Sequence, residues 1–126
     1  MKTIVNTNNA PAPIGPYSQA VIAGDFVFVS GQVAINPSTG ELILDDIKTE
    51  TKQVMENIKA ILIAAGVDFS NIVKTSIFLK DMQNFAHVNE VYGGYFKEHF
   101  PARETVQVAG LPKNVNVEIT VIAIKS

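Results

Sequence analysis

The sequence contains no cysteine, little charge and a single arginine among its 126 residues. Without cysteine, disulfides, thiolate catalysis and Cys-ligated zinc or iron–sulfur sites are excluded. The two histidines, His87 and His99, lie twelve residues apart, a spacing that matches no zinc motif. No cluster of acidic residues resembles a Ca²⁺ or Mg²⁺ loop. We therefore expect no metal site.

Several other features are also missing. There is no phosphate-binding glycine loop and no G-x-S-x-G, so we expect no nucleotide cofactor and no serine-hydrolase triad. A net charge of −2 provides no broad basic face, so we expect no nucleic-acid partner. We expect no signal peptide at the N-terminus, and three prolines interrupt the uncharged segment 3–24, which excludes a membrane helix there. We expect a cytoplasmic protein, with an organelle protein whose transit peptide has been removed as the alternative.

The length predicts a single domain over residues 1–126. Hydropathy and turn residues predict the order β, β, β, α, β, α, β, β. The first helix should begin after an N-cap at Asp45 or Asp46 and end at a left-handed Gly66. The expected strands are 2–5, 20–22, 26–30, 72–80, 105–109 and 115–124, and the second helix is 84–99. This order predicts a two-layer α+β fold with one mixed sheet and both helices on one face.

The predicted strands are apolar on both sides. Phe26 and Phe28 alternate with Val27 and Val29, and the last strand has the same pattern. Two helices cover only one face of such a sheet. We infer that the other face packs against another copy of the chain, which makes a site at a subunit interface plausible.

Two charged residues stand out from their surroundings. Arg103 follows Phe-Pro-Ala, and its planar guanidinium matches a carboxylate or phosphate better than lysine does. Glu118 is the only charge between Lys113 and Lys125, in a strand expected to be half-buried. The alternative interpretation is that Arg103 is an ordinary surface residue. For Glu118 the alternative is that it is solvent-exposed or forms a salt bridge, for example with Arg103 across a hairpin of the last two strands.

Four further residues are weaker candidates. Tyr17 lies in a rigid, charge-poor loop, where it either covers a ligand or packs on the sheet. Ser30 and Gly31 close a strand, where the backbone either approaches a ligand or simply turns. Asn89 lies beside the apolar stripe of the second helix and hydrogen-bonds either a loop or a ligand.

Six short sequence motifs follow one another along the chain. They are Ala10–Gln19 (APAPIGPYSQ), Val29–Gln32 (VSGQ), Val73–Thr75 (VKT), Phe100–Arg103 (FPAR), Leu111–Lys113 (LPK) and Val117–Ile119 (VEI). In this combination the chain resembles the RidA (YjgF-type) family along essentially its whole length.

The resemblance implies a chorismate-mutase-like α+β fold assembled as a homotrimer, with sites in the clefts between subunits. The implied activity is hydrolytic deamination of reactive 2-imino acids, such as 2-iminobutanoate and 2-iminopropanoate, to 2-oxo acids and ammonia. These enamine/imine intermediates arise from pyridoxal-phosphate dehydratases, which implies a functional link to those enzymes. The protein itself would need no cofactor.

The resemblance also implies residue roles. Arg103 would bind the substrate carboxylate, and Glu118 would position or activate water or shuttle its proton. Tyr17 would close the pocket from a neighbouring chain. Four positions would supply further substrate contacts or support: Ser30, Gly31, Asn89 and Thr105.

Three positions depart from the family pattern. Thr105 replaces a cysteine found in many bacterial members, Gly110 replaces a basic residue, and Gln107 replaces a glutamate. These changes leave the substrate range open. Two other functions remain as alternatives. One is a trimeric regulatory module that binds small carboxylates without catalysis. The other is a nucleic-acid or translation-associated role.

Overall fold

Six strands form one mixed sheet, and two α-helices cover one of its faces. The computed structural model describes residues 1–125; Ser126, the last residue of the expected domain, lies outside the described residues. The strands are β1 (Lys2–Val5), β2 (Ala20–Ala23), β3 (Phe26–Gln32), β4 (Ile72–Leu79), β5 (Ala102–Gln107) and β6 (Val117–Ile124), and the helices are α1 (Ile47–Ala64) and α2 (Phe85–Gly93). The strand order is β1-β2-β3-β6-β4-β5, antiparallel throughout except for the parallel pair β4–β5. The expected α+β architecture is confirmed.

Helix α1 begins and ends where its sequence predicts. Asp46 is the N-cap, and its side chain accepts a hydrogen bond from the amide of Thr49. Gly66, just beyond the helix, adopts a left-handed φ of 82°. The apolar stripe of α1 packs on the sheet, while Lys52 and Lys59 on the opposite side are exposed.

We expect Asp46→Ala to lower the melting temperature by about 3 °C at neutral pH, because the first turn of α1 loses its cap. The hydrogen bond from Thr49 lowers the pKa of Asp46. The stabilisation is therefore present above the usual aspartate pKa and is lost as pH falls through the lowered value. Thermal melts across pH should show the difference fading in acid. Asp45→Ala, which removes the neighbouring carboxylate but not the cap, is the control, and an equal loss in that variant would contradict this assignment.

The core lies between the helices and one face of the sheet. In β6 buried residues alternate with half-buried ones, and Val117, Ile119 and Val121 face the core. Val27 and Val29 of β3 face the same way. None of the helices within residues 1–125 is long and apolar enough to span a membrane.

The opposite face of the sheet, called the open face here, has no covering layer in the described chain. Phe26 and Phe28 on this face are 43% and 45% exposed, and Val106 is 41% exposed. The expectation of a second apolar face is confirmed for β3, whereas β4 and β5 also place Lys74, Ser76 and Glu104 on the open face. A surface of this kind is typical of a protein–protein interface.

The predicted hairpin between the last two strands is wrong. Strand β4 lies between β5 and β6, and it pairs with β5 in parallel from Lys74–Ala102 to Leu79–Gln107. The 3₁₀ turn Pro112–Asn114 includes left-handed backbone at Lys113. This turn carries the chain past the end of β4, where the amide of Lys80 donates to the carbonyl of Asn116 at 3.0 Å. Arg103 and Glu118 therefore do not face each other across a hairpin.

Three further expectations differ from the structure. Helix α2 ends at Gly93 instead of residue 99, because Gly93-Gly94 weakens the helix well before Pro101. Strand β5 begins earlier than expected, directly after Pro101. A register shift between Ile72 and Lys74 buries Ile72 and leaves Val73 exposed, contrary to the simple alternation expected for that strand.

Candidate functional site

A groove of about 350 Å³ brings four of the candidate residues together. These are Tyr17, Ser30, Gly31 and Glu118. The remaining walls are largely apolar, with Pro11, Ile14, Ile35 and Pro112 on the sides and Lys113 as the only cation among the lining residues. The groove has a size suited to a small organic ligand.

The loop that carries Tyr17 is fixed by Gln19, which is 2% exposed. The Gln19 amide nitrogen donates to the carbonyl of Pro11 at 2.9 Å, and its oxygen accepts from the amide of Thr7 at 2.7 Å. Ser30 reinforces the loop, because its hydroxyl donates to the carbonyl of Ser18 at 2.5 Å. Tyr17 thus lies on a rigid segment although its ring is half exposed.

Glu118 projects from β6 on the open-face side of the sheet, opposite in direction to Val117 and Ile119. It is half-buried, and burial raises the pKa of its carboxyl group. No lysine, arginine or histidine within residues 1–125 forms an ion pair with it. Gly31 contacts it so closely that a Cβ at that position would overlap the carboxylate. The carboxylate is therefore confined and forms no ion pair among the described residues.

Arg103 lies on β5 on the other side of the sheet, against α2. Its guanidinium carbon is 5.1 Å from the ring centre of Tyr92 and 5.7 Å from that of Phe85, a cation–π arrangement. Tyr92 is buried, and its hydroxyl hydrogen-bonds Thr75 at 2.9 Å; burial raises the pKa of this phenol. Arg103 forms no ion pair within residues 1–125. The rings support the flat cation while its N–H groups remain available to a carboxylate.

Asn89 and Thr105 accompany Arg103 rather than the groove. Asn89 lies one turn before Tyr92 on α2 and is half-buried. The hydroxyl of Thr105 is buried without a hydrogen-bond partner in the described chain. Buried hydroxyl groups normally have a hydrogen-bond partner, because burying one without a partner is energetically unfavourable. The Thr105 hydroxyl is therefore an exception within the described residues.

The seven candidate residues therefore form two separate sets in one chain. Glu118 lies on the open-face side of the sheet, whereas Arg103 lies on the helix side, with β4 between their strands. The set around Arg103 can bind an anion, and the set around Glu118 can transfer a proton, so each supplies one half of a typical site of this kind. Tyr17 shares its groove with Glu118 of the same chain.

Sequence reasoning missed several residues that shape both sets. Phe85 and Tyr92 were expected only to form part of the apolar stripe of the second helix. Gln19 and Lys113 appeared within the family motifs but were given no role in the site. A glutamine in the charge-poor N-terminal segment, directly before a strand, was the available signal for Gln19. No group of three potential metal-binding side chains is present among the described residues.

Comparison with known proteins gives consistent matches. The sequence profile of the endoribonuclease L-PSP family matches residues 7–125. A RutC family protein of Pyrococcus horikoshii is 55% identical over 125 residues, covering 99% of each chain. The human 2-iminobutanoate/2-iminopropanoate deaminase is 46% identical over 125 residues, covering 99% of this chain and 91% of the human protein.

Solved structures match the fold equally well. The crystal structure of E. coli TdcF with bound serine has a TM-score of 0.94 and 43% identity, covering 98% of this chain and 99% of TdcF. The E. coli YjgF gene product has a TM-score of 0.93 and 46% identity, with the same coverage. The family resemblance seen in the sequence motifs is confirmed, and the chain belongs to the endoribonuclease L-PSP (YjgF/RutC/Rid) family.

Proposed function

We propose that the protein hydrolyses small reactive 2-imino acids, such as 2-iminobutanoate and 2-iminopropanoate, to 2-oxo acids and ammonia. The observation that carries the proposal is the complementarity of the two sets of residues. Glu118 is a confined carboxylate and Arg103 a ring-supported cation, and neither forms an ion pair within residues 1–125. The name of the human relative supports the substrate class.

The active unit in this proposal is a homotrimer in which Arg103 of one subunit approaches the Glu118 groove of its neighbour. The apolar open face, with Phe26 and Phe28 exposed, supports such packing. The unpartnered hydroxyl of Thr105 supports it as well, because a neighbouring chain or ligand would supply the missing hydrogen bond. Tyr17 and Glu118 then come from one chain, and Arg103, Asn89 and Thr105 from the next.

The chemistry requires little beyond positioning and proton transfer, because an imine carbon is already electrophilic. Arg103 binds the substrate carboxylate by two N–H groups. Glu118 accepts a proton from water as the water oxygen bonds to the imine carbon and the C=N electron pair moves to nitrogen. Glu118 then gives this proton to the nitrogen, which leaves a carbinolamine. Transfer of the hydroxyl proton to the amino nitrogen, again through Glu118, forms C=O as the C–N bond breaks and ammonia leaves. Polar groups of Tyr17 and Ser30 border the reacting atoms.

The substrates must be supplied by enzymes that release enamines from hydroxylated amino acids, which is the chemistry of pyridoxal-phosphate dehydratases. A second candidate function is storage or sensing of small carboxylates without catalysis. The crystal structure of the similar protein TdcF contains bound serine, which supports binding of a small carboxylate. Binding without turnover would distinguish it.

A coupled assay tests the proposal. Threonine dehydratase generates the imine in the presence of semicarbazide, which traps imine that has not been hydrolysed, and early 2-oxo acid release is followed. We expect this protein to divert imine from the trap. Absence of diversion, with the dehydratase active and the protein assembled, would contradict the enzyme function. Saturable binding of a 2-oxo acid in that case would favour the binding module, and RNA cleavage by nuclease-free protein would favour a third function.

A further inference from the structure

Helix α1 carries three polar residues along one edge of its buried face, besides the buried Thr51, whose hydroxyl donates within the helix to the carbonyl of Ile47. Glu50 and Asn57 are 0% and 1% exposed, and Gln53 between them is half-buried. Positions 50 and 57 are two turns apart and therefore lie on the same side of the helix. We call Glu50, Gln53 and Asn57 the buried polar row. Burying a carboxylate and an amide among apolar neighbours is unfavourable unless each finds hydrogen-bond partners.

Glu50 finds its partners just before β6. One carboxylate oxygen accepts from the backbone amides of Asn116 and Val117 at 2.8 and 3.3 Å. The other oxygen accepts from the side-chain amide of Asn116 at 2.7 Å. No cation within residues 1–125 forms an ion pair with Glu50. Its carboxylate thus fixes the backbone segment between Lys113 and Glu118, two residues that line the groove.

Asn57 finds its partners on the other wall of the groove. Its amide nitrogen donates to the carbonyls of Val33 and Ile35 at 3.1 and 3.0 Å, and both of these residues line the groove. Gln53 donates to the side-chain oxygen of Asn57 at 2.9 Å, which fixes the orientation of that amide. The carbonyls of Val33 and Ile35 lie beyond the end of β3, where the sheet no longer constrains the backbone.

We propose that the buried polar row is a positioning device, which ties both walls of the groove to one rigid helix and so fixes Glu118 relative to Gly31. None of the three row residues lines the groove itself. These residues act through backbone that borders the groove. Burying these polar side chains is less favourable than burying leucines at the same three positions. The catalytic part of this inference rests on the proposed function, whereas the structural part does not.

The test combines residue-level amide hydrogen exchange with kinetics in Glu50→Gln, Asn57→Ala and the control Val54→Ala. Val54 is fully buried on the same helix and makes no polar contact, so its truncation lowers stability without cutting the row. In Glu50→Gln we expect the amides of Asn116 and Val117 to exchange at least about tenfold faster, with the β3–β6 ladder still protected. In Asn57→Ala we expect the same local effect at Ile35 and Ile43.

Kinetics supply the readout that a merely structural role would not change. We expect kcat for imine hydrolysis to fall about tenfold in both row variants, with KM within about twofold of wild type. Val54→Ala should keep the wild-type kcat. If a row variant does not fold, Gln53→Ala, which removes only the bond to Asn57, replaces it.

Each outcome decides the inference. Unchanged exchange at the groove walls, or exchange that rises equally throughout the protein, would overturn the structural part. Faster local exchange with unchanged kcat would overturn the positioning of Glu118. If wild-type protein shows no hydrolysis at all, the proposed function fails. The amide exchange rates would then still show whether the buried polar row fixes the groove walls.

Discussion

Arg103→Ala is expected to lower kcat/KM for imine hydrolysis by about 10³-fold while leaving the oligomer intact. The reason is that removal of a charged partner leaves the substrate carboxylate without its two charge-assisted hydrogen bonds, typically a loss of several kcal/mol. The rings of Tyr92 and Phe85 hold the guanidinium in place, so alanine removes both the charge and its fixed position. Steady-state kinetics with dehydratase-generated imine, together with light scattering, provide the measurement.

Two matched variants make the Arg103 result specific. Arg103→Lys keeps the charge but loses the planar fork, so we expect an intermediate loss of about tenfold or more. Lys52→Ala removes an exposed cation from the outer side of α1 and should leave activity unchanged. Full turnover in an assembled Arg103→Ala protein would remove Arg103 from the site.

Gly31→Ala is expected to lower kcat by about 100-fold, because the added Cβ occupies space held by the Glu118 carboxylate. The backbone around Gly31 is fixed by the hydrogen bonds of Ser30, so the carboxylate rather than the strand must move. Since Glu118 transfers the proton in the proposed reaction, its displacement affects turnover more than binding. The measurement is kcat and KM, determined over a range of imine concentrations that reaches saturation.

Gly110→Ala is the control for this prediction. Apart from its two chain neighbours, no atom of residues 1–125 lies within 4 Å of a Cβ built at Gly110, so this substitution should be tolerated. A crystal structure of Gly31→Ala should show the Glu118 carboxylate displaced. Wild-type kcat in Gly31→Ala would mean that the position of Glu118 does not matter for the reaction.

Local patterns predicted much of the fold. The 3–4 spacing of apolar residues and the Asp46 cap determine α1, because both act within one or two helical turns. Alternation in the last strand correctly placed Glu118 opposite to Val117 and Ile119. The expectation that an uncovered face would remain followed from the same alternation.

Long-range pairing was not predictable in the same way. Strand β5 is short and carries both polar and apolar residues, so nothing in its sequence specifies that it joins β4 in parallel. The separation of Arg103 from Glu118 depends on that pairing. The polar row was equally hidden, because Glu50 and Asn57 resemble surface residues of an amphipathic helix until the partners near β3 and β6 are known.

In the proposed trimer, one active site uses Arg103 of one subunit and Glu118 of another. Mixing two inactive variants, Arg103→Ala and Glu118→Gln, during refolding tests this sharing. In a random equal mixture, a site at a subunit boundary receives both intact residues with a probability of about one quarter, so about one quarter of wild-type activity should return. Glu118→Gln mixed with Gly31→Ala should stay inactive, because both changes damage the same groove. If Arg103→Ala and Glu118→Gln also stay inactive in mixed oligomers, the site is not shared between subunits in this way.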